Sequence, residues 1–544
     1  MDFAPILVEQ RKAVMKAAGL WRDRTIEPAL QRALRECPDK IAVVDYRQGR
    51  DEPLRLTYRE LDDRVDRIAR GLVTSGVGPG DVVSFQLPNW WEFIALWLAC
   101  GRIGACANPV MPIFRERELE FMLGLAESKV FVVPKSFRNF DHEVMARDLL
   151  SRLPTLQRVV VIGGEGEDAF EQALLGVDTQ PLSHRGIEPD EVMLLLYTSG
   201  TTGEPKGVMH TYNTVYAGID PYVEMMHLGK EDIILGASPF AHATGFFYLA
   251  MMPIELNATT VLLDVWDPKR ALEIIRRERI TFSMAAAVFV SDMCHAVEQG
   301  AAPPETLRCF VSAGAPIPSV LIERAHRLLG MTLCSAWGMT ECGAATLTEP
   351  ERALEKSAIS DGRPIRGVEV KIVDGQGTPL PTGQTGRLLI RGSVLFGGYL
   401  KRPHLNNVDA EGWFDTGDLA FADDEGYIRI NGRSKDIIIR GGENLPVMEI
   451  ENILYAHPAI AACAVVGYPD ERLGERACAF VILKPGTSFD FAEMVRWFES
   501  KQTARQYIPE RLEIVENMPT TPSGKIQKFK LREWAKERVN AKEA

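Results

Sequence analysis

The sequence predicts an α/β protein: a large N-terminal domain of doubly wound sheets carrying a small β-barrel, followed by a smaller α+β domain. Three observations lead there. Helix-period and strand-period segments take turns through much of the first 350 residues. From about Val368 the texture changes to short β-like runs, VEVKIVD, GRLLIRG and GYIRING, divided by glycine, proline and aspartate turns. After Lys435 come IIIRGGEN, a helix at VMEIENILYAH, then AACAVVGYPD and RACAFVILKPG, the makings of a compact unit of its own.

Taken in order, Thr57 opens a Thr-x-x-Glu capping box with Glu60, and Leu61, Val65, Ile68, Ala69, Leu72 and Val73 follow at helical spacing. That helix ends in SGVGPGD, and VVSFQL reads as the next strand. Further units are RVVVIGG (158–164), the helix KRALEIIRRER with the strand TFSMAAA (269–287), and the helix PSVLIERAHRLL with the strand MTLCSAWG (318–338). The boundary falls at 433–435, dividing residues 1–432 from 436–544. No internal repeat or low-complexity tract is evident.

With 544 residues, several cores are affordable and one domain is too few. A formal net charge of −12 argues against a general nucleic-acid or anionic-membrane binder, since both need a positive field. Nine cysteines without C-x-x-C pairs or dense spacing suggest neither a zinc site nor a disulfide framework, and fit a reducing compartment. MDFAPILVEQRKAVMK lacks the apolar core of a secretory signal, so the cytoplasm is the expected location. The run Ile233–Ile254 has no Asp, Glu, Lys or Arg, but Ser238, Pro239, His242, Thr244 and Pro253 interrupt it. A buried strand, turn and helix suits it better than a membrane span.

The most informative stretch is YTSGTTGEPKG, Tyr197 to Gly207, directly after the apolar run VMLLLY. Gly200, Gly203 and Gly207 let the backbone bring N–H groups close to oxyanions; Thr198, Ser199, Thr201 and Thr202 add hydroxyl donors, and Lys206 adds charge. A phosphate loop is the natural reading. It is not a Walker A loop, because Pro205 and Lys206 stand where that motif needs glycine and lysine. No G-x-S-x-G elbow is present, which removes the nucleophile of an α/β hydrolase. GEGEDA (164–169) fits G-x-G-x-x-A, but Glu167 and Asp168 would put carboxylates where a pyrophosphate must sit.

Five further stretches stand along the chain: SPFAHATG (238–245), SAGAP (312–316), WGMTECG (337–343), WFDTGDLA (413–420) with GRSKDIIIRGGEN (432–444), and PTTPSGKIQK (519–528). In this order and spacing, with the phosphate loop, they resemble the adenylate-forming acyl-CoA synthetase superfamily over Thr57 to Lys528. Within it the chain looks most like ligases for alicyclic (cyclohexanecarboxylate), aromatic and medium-chain acids. The resemblance implies ATP, Mg2+ and coenzyme A as cofactors, a small-molecule carboxylic acid as substrate, and a mobile C-terminal domain. The chemistry asks for such a site: a carboxylate resists attack by a thiol until it is joined to the α-phosphate of ATP, after which a CoA thiol can displace AMP.

By resemblance, Glu341 is the magnesium ligand, helped by Thr198, with Thr340 beside the α-phosphate. Trp337 stands where the family has tyrosine against the adenine, with Gly338 and Met339 following it; Trp keeps a flat face but loses the phenolic hydroxyl. Gly314, Ala315 and Pro316 resemble the loop on the other side of the adenine. Asp418 matches the carboxylate that takes both ribose hydroxyls, and Arg433 the arginine that supports ribose and phosphate. Lys435 occupies the hinge. Lys525 of PSGKI reaches the acid and the α-phosphate in adenylation, and Arg440, Gly441, Gly442, Glu443 and Asn444 shape the pantetheine tunnel once the domain has turned. Taken alone, Lys525 belongs to a solvated basic tail helix.

His242 resembles the histidine where acyl group and thiol meet. The acyl pocket draws on His242, Gly245, Ala286, Val288 and Phe289, all uncharged at the ring or chain they would accept. The resemblance also implies control by acetylation of Lys525 by a lysine acetyltransferase, reversed by a deacetylase. A homodimer is left open, as are two alternatives in function: loading of a carrier protein, and a short- or medium-chain fatty acyl-CoA synthetase.

Overall fold

A computed structural model describes residues 3–543 apart from 177–181, 183–184, 199–204, 315–316, 434–437, 441–442, 446, 471–472, 502, 504 and 522–525. Two sheets dominate the first part. One has six strands in the order Lys206–Thr211, Val192–Thr198, Cys106–Pro109, Val82–Phe85, Val130–Pro134, Arg158–Ile162, parallel except at the Lys206–Thr211 edge. The other has nine strands. Its central parallel strands are Thr332–Met339, Cys309–Ser312, Phe282–Ala285, Ile233–Gly236, Thr259–Leu263 and Ile41–Tyr46, and antiparallel strands close both edges. Their apolar runs are buried because helices cover both faces of parallel sheets.

Local chemistry sets the helices. Thr57 Oγ1 accepts from the amide of Glu60 at 3.2 Å while Glu60 Oε2 accepts from the amide of Thr57 at 2.8 Å, the capping box expected before Tyr58–Thr74. Asp267 supplies a simple N-cap to Pro268–Glu278, its Oδ1 accepting from the amide of Arg270 at 2.8 Å. Within 233–254 the structure has the strand Ile233–Gly236, then helical turns from Ala243 onward. Among the described residues no helix is long and apolar enough to cross a membrane.

The expected small β-barrel is an open sheet instead. Val368–Val373, Gly386–Gly392, Phe414–Ala422 and Ile428–Arg433 form four antiparallel strands in chain order, and the first and last do not pair among the described residues.

Beyond it, Ile460–Asp470 and Gly474–Leu483 form a long antiparallel pair at the heart of a five-stranded sheet. Alternate residues face opposite cores: Cys463 and Val465 join Ile450, Leu454 and Phe498, while Ala464 and Val466 join Leu531 and Ala535. The tail helix Lys528–Glu543 is therefore not merely a solvated basic helix, since Leu531 and Ala535, four residues apart, are fully buried against the sheet.

Candidate active site

The chemistry-bearing motifs gather because of topology. SPFAHATG follows the strand Ile233–Gly236, Ala286 to Phe289 follow Phe282–Ala285, Gly314 follows Cys309–Ser312, and Gly338 to Glu341 end Thr332–Met339. These four strands are parallel neighbours, so all four motifs emerge at one carboxyl edge. That edge is where open α/β sheets bind ligands.

The stretch read as a phosphate loop is flanked by the antiparallel pair Val192–Thr198 and Lys206–Thr211, with Thr198 opposite Lys206. Ser199, Gly200, Thr201, Thr202 and Gly203 lie outside the described residues. Thr198 Oγ1 is buried and has no hydrogen-bond partner among the described residues. Lys206 Nζ is 3.2 Å from Tyr399 Oη and 4.2 Å above the Tyr399 ring. Tyr399 in turn donates to Glu341 Oε1 at 2.6 Å. Burial and the neighbouring carboxylate push the Tyr399 phenol far above its usual range, so it stays a donor.

Thr340 and Glu341 are both buried. The carbonyl of Thr340 accepts from His210 Nε2 at 2.7 Å, with Thr214 Oγ1 at 3.2 Å from Nδ1. Burial pulls His210 down to a pKa of about 4, so the ring is neutral with its proton on Nε2. Phe396 N donates to the carbonyl of Glu341 at 2.8 Å. A Cβ on Gly338 would stand 1.8 Å from the carbonyl oxygen of Gly343, so only glycine allows the two strands this approach. Trp337 Nε1 donates to Asp418 Oδ2 at 2.9 Å.

His242 is half-buried and heads the turn Ala243–Gly245, its Nδ1 accepting from the amide of Thr244 at 3.3 Å. A Cβ on Gly245 would come within 2.1 Å of the Pro239 carbonyl oxygen. Asn89 holds this loop from the turn between the strand Val82–Phe85 and the helix Trp91–Arg102: its Nδ2 donates to the carbonyls of Gly236 (2.8 Å) and Ser238 (2.9 Å), and its Oδ1 accepts from Phe240 N at 2.9 Å. Ala286 is half-buried ahead of the helix Ala287–Glu298; Val288 is exposed, and Phe289 is buried with its ring 4.6 Å from Trp266. Gly314 has φ +86°, the left-handed region, while Ala315 and Pro316 lie outside the described residues.

Arg433 pairs with Asp418 in backbone register. Arg440 and Glu443 face each other in a short antiparallel pair, and Gly441, Gly442, Lys435 and Lys525 lie outside the described residues. Tyr399, His210 and Asn89 were not among the expected residues. Each joins the site through a partner far along the chain, which no local motif announces.

An open α/β sheet with these motifs at one carboxyl edge, beside a hydroxyl-rich hairpin and a carboxylate held by a tyrosine, defines a nucleotide-using enzyme. The AMP-binding enzyme profile matches residues 30–400 and the AMP-binding enzyme C-terminal domain profile matches residues 449–525, and the chain belongs to this family. It is 37% identical over 530 residues to a medium-chain fatty-acid–CoA ligase of Escherichia coli (strain K12), covering 96% of this chain and 93% of that one. A salicylyl-CoA synthase / salicylate adenylyltransferase of Streptomyces sp is 33% identical over 542 residues, 97% of both chains. Among solved structures, the anthranilate CoA ligase AuaEII in complex with anthranoyl-AMP superposes with a TM-score of 0.86 at 25% identity, covering 96% of this chain and 98% of that one.

The chain is thus an AMP-forming acid–thiol ligase that uses ATP, Mg2+ and CoA. Its residues fit the ion. Glu341 offers a carboxylate and Thr198 a buried hydroxyl with no partner among the described residues, while no cluster of three His, Cys, Asp or Glu able to hold a metal occurs among those residues. Two hard oxygen donors would suit a magnesium ion, which would offset phosphate charge there.

Proposed function

We propose that this ligase activates an uncharged-tailed monocarboxylic acid, medium-chain, alicyclic or aromatic, and passes it to CoA. In the first half-reaction a carboxylate oxygen attacks the α-phosphorus and pyrophosphate departs. In the second, the CoA sulfur attacks the acyl carbon, its proton passes to solvent, and AMP departs. The acid class is supported by the residues around His242, Gly245, Ala286, Val288 and Phe289, which bring no charge to an acyl tail, and by the acids of the two curated relatives. An amino-acid substrate would need a partner for its ammonium group.

The observation that carries this reading is the relay Lys206–Tyr399–Glu341, which sets a cation and a carboxylate side by side at the mouth of the phosphate hairpin. Lys206, Thr198 and the loop through Gly203 take the phosphates; Glu341 and Thr198 would hold the magnesium ion; Thr340 lies beside the α-phosphate. Trp337, Gly338, Met339 and Gly314 to Pro316 enclose the adenine, and Asp418 and Arg433 take the ribose. Residues 1–432 form the platform and 436–544 the turning domain, with Lys435 as hinge. Lys525 serves adenylation, and Gly441, Gly442 and Glu443 serve thioester formation. Acetylation of Lys525, a cytoplasmic location and a homodimer belong to the same reading.

Exchange of labelled pyrophosphate into ATP, run with cyclohexanecarboxylate, benzoate and straight-chain acids, tests it. Exchange with an apolar acid and thioester formation with free CoA are expected. No exchange with any acid would overturn the activation step, and exchange without acyl-CoA would favour a carrier protein as acceptor.

A further inference from the structure

The helix Ile6–Ala17 precedes the span 30–400 matched by the family profile, yet it is built into the wall behind Glu341. Arg11, half-buried with its guanidinium turned inward, donates from Nη1 to the carbonyl of Gly392 (2.9 Å) and from Nη2 to those of Leu395 (2.7 Å) and Phe396 (2.8 Å), with Nε on Leu7 O at 2.8 Å. Trp21, 3% exposed, donates Nε1–H to the carbonyl of Ser393 at 3.0 Å, and the amide of Leu7 reaches that of Gly397 at 3.2 Å. The N-terminal segment thereby takes the carbonyls of 392, 393, 395, 396 and 397.

Amides of the same strap point the other way, into the site. Phe396 N donates to Glu341 O (2.8 Å), Gly397 N to Met209 O (2.7 Å) and Leu400 N to Gly207 O (2.8 Å). Tyr399, in this strap, holds the Glu341 carboxylate and meets Lys206. Among the described residues Arg11 has no carboxylate partner, and desolvation pulls its pKa down to about 10. Its charge also reaches His210 and disfavours protonation there, which marks how near the site it lies.

A desolvated cation among neutral carbonyls is costly, and an apolar side chain would anchor the helix more cheaply. What leucine or methionine lacks is a rigid fork of donors able to fix several carbonyls of an irregular segment at once. We infer that Arg11 is a positioning residue: from a helix outside the matched span it sets the strap 392–400, and through it the Tyr399–Glu341 pair on which adenylation depends. The inference rests on the role proposed above for Glu341.

A double-mutant cycle tests it in the full chain, with Arg11→Met, Tyr399→Phe and the double variant measured by ATP–pyrophosphate exchange per folded molecule. Each single change is expected to slow exchange about 10-fold, and the double change also only about 10-fold, because both break one arrangement. The Mg2+ concentration for half-maximal exchange should rise in all three, with Arg11→Lys recovering part of the loss. A double variant slowed about 100-fold, or an Arg11→Met enzyme whose only defect is a lower melting temperature, would overturn the inference. Should Arg11→Met not fold, Trp21→Phe, which removes the bond to Ser393 and shrinks the ring 5.7 Å beneath the Arg11 guanidinium, takes its place in the same cycle with the same two outcomes. Absence of exchange in the wild-type enzyme with every acid would strike the proposed function itself, a result distinct from additivity.

Discussion

The indole of Trp337 donates a 2.9 Å hydrogen bond to Asp418, so the residue read as the adenine's stacking partner also orients the carboxylate read as the ribose acceptor. Where the resemblance led one to expect a tyrosine, the larger ring supplies a donor of its own. A bond to an ionised acceptor contributes roughly 1.5–3 kcal/mol. Trp337→Phe, which keeps a flat face and removes the donor, is therefore expected to raise the KM for ATP about 10-fold or more while leaving that for the acid nearly unchanged. Steady-state kinetics with each substrate varied in turn would check this; an unchanged KM for ATP would separate Trp337 from nucleotide binding.

His210 lends itself to a pH test. Its pKa is about 4 in the folded protein against an ordinary 6.5, with burial as the main cause. Above pH 6.5 both states hold it neutral and its contribution to stability is complete. As pH falls from 6.5 toward 4 the unfolded chain takes up the proton first, so stability is lost, by about 3 kcal/mol at the lower end. Denaturant unfolding of wild type and His210→Gln across pH 4–7 should show a shallower slope for the variant. Parallel slopes would mean that His210 does not titrate between the two states.

Gly245 tests the loop that carries His242. An alanine methyl there meets the Pro239 carbonyl oxygen at 2.1 Å, so the backbone must shift. Gly245→Ala is expected to cost about 1–3 kcal/mol in urea unfolding and to raise the KM for the acid more than that for ATP. Equal effects on both substrates would deny this loop a place in the acyl pocket.

Lys525 tests the two-face reading of the C-terminal domain. Its alanine variant should adenylate about 10²-fold more slowly, by analogy with the loss of one oxyanion-stabilising group. Thioester formation from supplied acyl-adenylate should persist. Single-turnover measurements of the two halves would separate these, and equal losses in both would contradict the scheme.

Much of this molecule is legible in one dimension. Capping boxes, the alternation of helix and strand, the change of texture at Val368 and six short motifs all depend on neighbours within a few residues, and local chemistry writes them into the chain directly. The order of those motifs carried the family as well. Tertiary structure alone decided that the barrel is an open sheet, that Leu531 and Ala535 of the basic tail are core, and that Trp337 serves Asp418. It also decided which residues stand behind the chemistry. Tyr399 meets Glu341 across 58 positions, His210 meets Thr340 across 130 and Arg11 meets Phe396 across 385. Such pairs leave no periodic or spacing signal, because what joins them is the burial of polar groups that must find partners wherever the packed sheets bring them.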